Sequence, residues 1–246
     1  MLDHNTRLAA ARSAIDYITG RSEAEQQQPV PNCPGWTVYN AASHIGRVAI
    51  AWEEMITSPP EDPDSRARGY ARSEREPEGA PTTDLAAWAH AAIDALTAEL
   101  DRRCYFSMTG GEGTVALWGW HAASELGVHR LDVEAALGHS HAMTDDQAAD
   151  AATYTAQYFL PAMRRATGRD PGSLTARLAA TDRPVDVVPI TSEAAESVTI
   201  EGPPTQVLLA LWGRPFADVR VTEGDPAVLD AWRSLPGEAF QFGTWD

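Results

Sequence analysis

The stretch Trp118-Gly119-Trp120-His121-Ala122-Ala123-Ser124-Glu125-Leu126-Gly127-Val128-His129-Arg130-Leu131-Asp132 decides how the chain reads. It is rich in Ala and Leu, and no proline occurs from Val115 to His141, so the segment reads as one helix that Gly138 closes. On a helix, Glu125 and His129 share a face about one turn apart and can reach a common ion. His121 extends the row by a further turn, but it stands about 12 Å from His129 along the axis, at about 1.5 Å per residue. All three cannot ligate one ion in an unbroken helix. Either His121 with Glu125 or Glu125 with His129 is the working pair, and a third ligand has to come from elsewhere.

His44 is the candidate for that third position. It lies in the second turn of a helix expected from Val38 to Ile56, which the turn Pro31-Asn32-Cys33-Pro34-Gly35-Trp36 precedes and Thr37 caps. Two neutral imidazoles and a carboxylate suit Zn²⁺ or another borderline divalent ion, and three protein ligands leave one position open to water or substrate.

Working outward, Leu8, Ala11, Ile15 and Ile18 mark a first helix over residues 3–19, ended by Gly20. Residues 57–83 are rich in Pro, Glu and Arg without apolar period, and read as a solvated loop with room for at most a short helical turn. A third helix begins at Asp84 and carries Leu85, Trp88, Ala92, Leu96 and Leu100; after the break Gly110-Gly111-Glu112-Gly113 comes the central helix, then a fifth over 145–166 with Thr144 as cap. Beyond Gly168 short β-type runs appear at 174–180, 185–190, 197–200 and 217–222, with helices at 204–212 and 226–234. This pattern predicts a helical bundle over residues 1–168 and a small α+β domain over 169–246.

The net charge of −16 argues against nonspecific binding to nucleic acid or anionic membranes, which requires a basic surface. All 19 basic residues are arginine, so lysine Schiff-base and lysine general-base chemistry are excluded. Cys33 and Cys104 are the only cysteines and form no CxxC spacing; they are expected to be reduced, with Cys33 packing against its neighbours. No apolar run reaches signal-peptide or membrane-span length, and a cytoplasmic protein is the expectation. No pattern in the chain specifies an oligomeric state.

At this point several motifs fall together. Asn32-Cys33-Pro34-Gly35-Trp36-Thr37-Val38 with His44-Ile45-Gly46, then Glu125-Leu126-Gly127-Val128-His129-Arg130-Leu131-Asp132-Val133-Glu134, and later Leu208-Leu209-Ala210-Leu211-Trp212-Gly213-Arg214 with Val221-Thr222-Glu223-Gly224-Asp225, resemble the mycothiol-dependent maleylpyruvate isomerase family of the DinB-like superfamily. The resemblance spans most of the chain in the family's order, leaving out residues 57–83 and the tail after Pro236. It implies a DinB-like bundle of a four-helix core plus an extra helix, with a divalent metal, zinc by preference, held by His44, Glu125 and His129, and a C-terminal domain of sterol-carrier-protein type. It settles the choice of pair and leaves His121 a pocket residue at best.

The implied chemistry uses mycothiol, or a similar low-molecular-weight thiol, as cosubstrate for cis-trans isomerisation or S-transfer on a small electrophile. Because that thiol comes from outside, neither cysteine need be catalytic. Arg214 is the candidate from the second domain, a planar cation suited to clamping a substrate carboxylate, with a salt bridge or helix C-cap as the plainer role. Asp132 either orients His129 or pairs with Arg130, and Trp36, Trp118 and Trp120 read as core or pocket wall. The rival readings are a noncatalytic metal-binding or regulatory module, and a different metal-dependent reaction in a biosynthetic pathway.

Overall fold

A computed structural model describes residues 1–97, 99–180, 182 and 185–241. Two compact units divide the chain, one over Leu2–Ala142 and one over Met143–Asp246 joined by Met1.

In the first unit, α1 (His4–Thr19) starts from Asp3, whose carboxylate accepts from the Thr6 amide, and buries Leu8, Ala11, Ile15 and Ile18 as the spacing predicts. A short α2 (Glu23–Gln26) leads to the turn before α3 (Val38–Thr57), which opens with a reciprocal capping box between Thr37 and Asn40. α3 packs on α4 (Asp64–Ser73), on α5 (Thr82–Asp94), and on the later α6 (Val115–Leu137). Gly46 permits the α3–α5 approach: a Cβ there would stand 2.9 Å from Leu85 Cα.

α6 starts from Thr114, whose hydroxyl caps the Leu117 amide, and ends at Gly138 in the left-handed region at φ 66°. Its buried positions run round the helix, from Val115 and Trp118 through His129 and Asp132 to Glu134. It is the internal helix of its unit, which is why its polar side chains need partners.

Three features differ from the sequence expectations in this unit. The segment 57–83 holds a true helix, α4, set on α3 through the small residues Ser65, Gly69 and Ser73. No apolar stripe announced it because the contact is made by backbone and small side chains. α5 stops at Asp94, where the Thr97 hydroxyl bonds to the Asp94 carbonyl, so Leu100 falls outside it and is exposed. The glycine-rich break forms half of a hairpin, β1 (Arg103–Phe106) against β2 (Gly111–Thr114), tied to α6 by the Trp118 indole N–H on the Tyr105 carbonyl.

In the second unit, α7 (Asp145–Tyr154), capped by Thr144, runs through one π-helical turn (Thr155–Phe159) into α8 (Leu160–Thr167). A four-stranded sheet follows in the order β4-β3-β5-β6, from β3 (Ser173–Leu178), β4 (Asp186–Ile190), β5 (Ser197–Gly202) and β6 (Arg220–Gly224). β3 and β5 are parallel and the other pairs antiparallel. α9 (Pro204–Leu211) and α10 (Pro226–Gln241) complete the unit; α10 passes Pro236 and so extends beyond the expected stop at Ser234.

Contacts divide the chain at 142/143, whereas the sequence pattern suggested 168/169. The helix at 145–167 follows the bundle in sequence, but α7 packs on α9 and α8 on α10. The π turn fits this packing: it sets Thr155 to accept from the Trp212 indole N–H at 2.9 Å and Phe159 to stack on Trp212 at 4.1 Å.

Candidate metal centre

His44 of α3 and Glu125 and His129 of α6 converge within the first unit. One ligand atom of each lies within 4.8 Å of the others, His44 Nε2 stands 3.4 Å from Glu125 Oε1, and the two imidazole rings meet edge-on with centroids 4.8 Å apart. The side chains of His44 and Glu125 keep 24% and 15% of their surface open, whereas His129 keeps 6%. The cluster is therefore sealed on the His129 side and reachable on the His44 side.

The electrostatics suit a cation. Burial acts to raise the Glu125 carboxyl, but the hydrogen bond from His44 and the fields of His121, His44 and His129 outweigh it and hold it down to about 2. Glu125 is an anion throughout the neutral range. Asp132, fully buried, lies 3.2 Å from His129 Nδ1. A carboxylate there can only accept, so the neutral imidazole carries its proton on Nδ1 and leaves the Nε2 lone pair to a ligand.

A second group, Cys33, His129 and Asp132, is also close enough to share an ion, but all three are buried and they contact one another at hydrogen-bond distances of 3.2–3.4 Å. It gives an external molecule no access, so the His44 group is the one with the shape of a reaction site.

His121 is placed by the same helix but not in the cluster. It is 2% exposed among Trp52, Phe106 and Trp118, and its Nε2 lies 3.6 Å from the other Glu125 oxygen. Burial pushes its pKa down against the pull of Glu125, so it is a neutral imidazole at pH 7. Trp36, half-buried, stacks on His129 at 5.8 Å and leans on His44 at 5.1 Å, forming a wall of the cluster. Trp118 is core.

The sequence reading missed Arg66 and Tyr70, one turn apart on α4. The Arg66 guanidinium lies 5.5 Å from the Tyr70 ring centroid. Burial raises the Tyr70 phenol to about 12; Arg66 pulls it down and Glu125 pushes it up, which puts Tyr70 in the electrostatic neighbourhood of the cluster. The small residues Ser65, Gly69 and Ser73 at helical spacing were the available signal.

Arg214 lies in the second unit just after α9. Its amide bonds to the Leu209 carbonyl at 2.9 Å while the Gly213 amide bonds to that of Ala210, the Schellman closure of a helix, with Gly213 at φ 71°. The backbone role of Gly213-Arg214 is thus a helix stop.

The family model described as the mycothiol maleylpyruvate isomerase N-terminal domain matches residues 8–134, and that of the MDMPI C-terminal domain matches residues 146–231. Among solved structures, the chain is similar to a crystal structure of the mycothiol-dependent maleylpyruvate isomerase at 16% identity and TM-score 0.59, covering 91% of this chain and 95% of that one. A crystal structure of the same isomerase with one histidine changed to alanine gives 15% identity and TM-score 0.61 at the same coverage. At such identity these two likenesses carry the fold. No curated protein matches the chain. The two family models follow one another along most of the sequence, and the chain belongs to the mycothiol maleylpyruvate isomerase family.

Proposed function

We propose that the chain is a cytoplasmic enzyme that uses a low-molecular-weight thiol, mycothiol by family, to isomerise or S-conjugate a small electrophile of the maleylpyruvate kind. The observation that carries the reading is the convergence of His44, Glu125 and His129 on one half-open point. The donor set fits a divalent ion, zinc by its two imidazoles and one carboxylate, with a position to spare. Bound there, such an ion supplies the charge that keeps a thiol, whose free pKa is about 8.5, as thiolate at neutral pH.

The residues of the chain do the rest. Glu125 contributes fixed negative charge, His129 is held as its Nδ1–H tautomer, and the Trp36 indole lies against both imidazole rings. The thiolate sulfur bonds to one alkene carbon of the substrate and the π electrons move onto the conjugated carbonyl oxygen. Rotation about the new single bond follows; the electrons return, the C–S bond breaks, and the trans alkene and thiolate leave with no net change in atoms. S-transfer differs in that the enolate carbon takes up a proton from solvent, in place of the one the thiol released on ionising, and the adduct departs. For Arg214 we propose that the guanidinium holds a substrate carboxylate.

The test is a titration of cobalt-substituted protein with mycothiol, followed by maleylpyruvate. The reading expects a thiolate-to-cobalt charge-transfer band on thiol addition, absent in His44→Ala, and thiol-dependent formation of the trans isomer or an adduct. No spectral response to any thiol and no turnover would instead leave a noncatalytic metal-binding module.

A further inference from the structure

The turn that precedes α3 does more than lead into a helix. Its backbone is closed on itself: the Val30 amide bonds to the Trp36 carbonyl at 2.8 Å, the Cys33 amide to Val30 at 3.1 Å and the Trp36 amide to Cys33 at 3.0 Å. Gly35 takes φ 86° to make the reversal, and Pro29 pairs with Thr37 at the base. From this frame two side chains reach Asp132 of α6. Asn32 Nδ2 donates to Asp132 Oδ1 at 3.1 Å, and Cys33 Sγ donates to Oδ2 at 3.4 Å, the oxygen that also faces His129 Nδ1 at 3.2 Å. The same turn lays Trp36 on the His129 ring with 21° between the planes.

A carboxylate with no exposed surface is costly unless donors meet it, and here two donors, the Asn32 amide and the Cys33 thiol, come from the turn. We propose that Asn32 and Cys33 are positioning residues for His129: by holding Asp132 in place they fix the tautomer and orientation of the imidazole that faces His44 and Glu125. Cys33 is therefore a donor in a chain Cys33–Asp132–His129, where its place beside two prolines suggested packing. Groups that back a ligating histidine in this way are worth about 10–100-fold in metal affinity. The inference rests on the metal-binding part of the reading above and goes one step behind it.

The test uses the whole chain as wild type, Cys33→Ala, Cys33→Ser and Asn32→Ala, each checked for native far-UV circular dichroism. Two quantities are read: the side-chain ¹⁵N shifts of His129 in metal-free protein, and zinc affinity by chelator competition. Expected are an Nδ1–H tautomer in wild type and Cys33→Ser, a mixed or Nε2–H signal in Cys33→Ala and Asn32→Ala, and zinc affinity about tenfold lower in those two, with serine restoring it. Unchanged tautomer and affinity in both alanine variants would overturn the proposal. So would a sulfur-to-cobalt band in thiol-free cobalt protein, since Cys33 would then be a ligand. Because the tautomer is read without metal, a wild type that binds no zinc would defeat the functional reading while the positioning role is still decided by the ¹⁵N shifts.

Discussion

Gly69 of α4 lies against Ala51 of α3 so closely that a Cβ at residue 69 would stand 2.8 Å from Ala51 Cα and 2.9 Å from its carbonyl oxygen. Both atoms are backbone and cannot turn aside. Gly69→Ala should therefore destabilise the fold by about 1–3 kcal/mol in urea denaturation, the usual cost of overpacking. It should also push α4, and with it Arg66 and Tyr70, away from α3. An Ala variant as stable as wild type would mean that the helices are not in contact at this point.

Glu134 is 1% exposed and is met by Arg130 at 2.8 Å, by His141 at 3.3 Å and by the Ala142 amide at 3.3 Å. It anchors the end of α6 to the segment that follows. Glu134→Ala leaves Arg130 facing a void where a carboxylate stood, and the expected loss is about 3 kcal/mol. Zinc stoichiometry should be unaffected, because the groups that meet Glu134 are Arg130, His141 and the Ala142 amide, none of them a proposed ligand. A loss below about 0.5 kcal/mol, the range of an ordinary surface change, would contradict the assignment.

The folded Glu125 carboxyl, held down to about 2, ionises more readily than an unfolded one near 4.5. The folded state is thereby favoured at neutral pH, and the advantage is lost as pH falls from about 4.5 toward 2. In metal-free protein, Glu125→Gln should show a shallower loss of stability over that window than wild type, by about 1–3 kcal/mol, as read from urea midpoints at successive pH values. Parallel curves would show that the carboxyl is not stabilised by its histidine neighbours.

Cys104 is fully buried, and burial pushes its thiol up to about 11, so little thiolate exists at pH 8. Cys33 is 8% exposed and engaged with Asp132. Neither should react with a thiol reagent in native protein at pH 8 within minutes, and both should react after denaturation. Prompt labelling of Cys104 in the native state would show that β1 opens readily.

Much of this arrangement could be read from the chain because it is written in helical spacing. Glu125 and His129 are one turn apart whatever surrounds them, and Thr37, Thr144 and Gly138 announce their helix ends by type alone. What could not be read depends on partners distant in sequence. α4 is held by small residues whose contact is backbone, and β1–β2 is too short for an alternating pattern. The π turn at Thr155–Phe159 exists to meet Trp212, which lies more than fifty residues on. The chain likewise gave no sign that Cys33 would face Asp132, since the two are 99 residues apart.

Metal analysis of the purified protein bears most directly on the central claim, that His44, Glu125 and His129 share one divalent ion. Wild type should carry one zinc per chain after exposure to zinc and extensive dialysis, and His44→Ala and His129→Ala should each lose most of it while remaining folded. Equal zinc content in wild type and both variants would contradict the account.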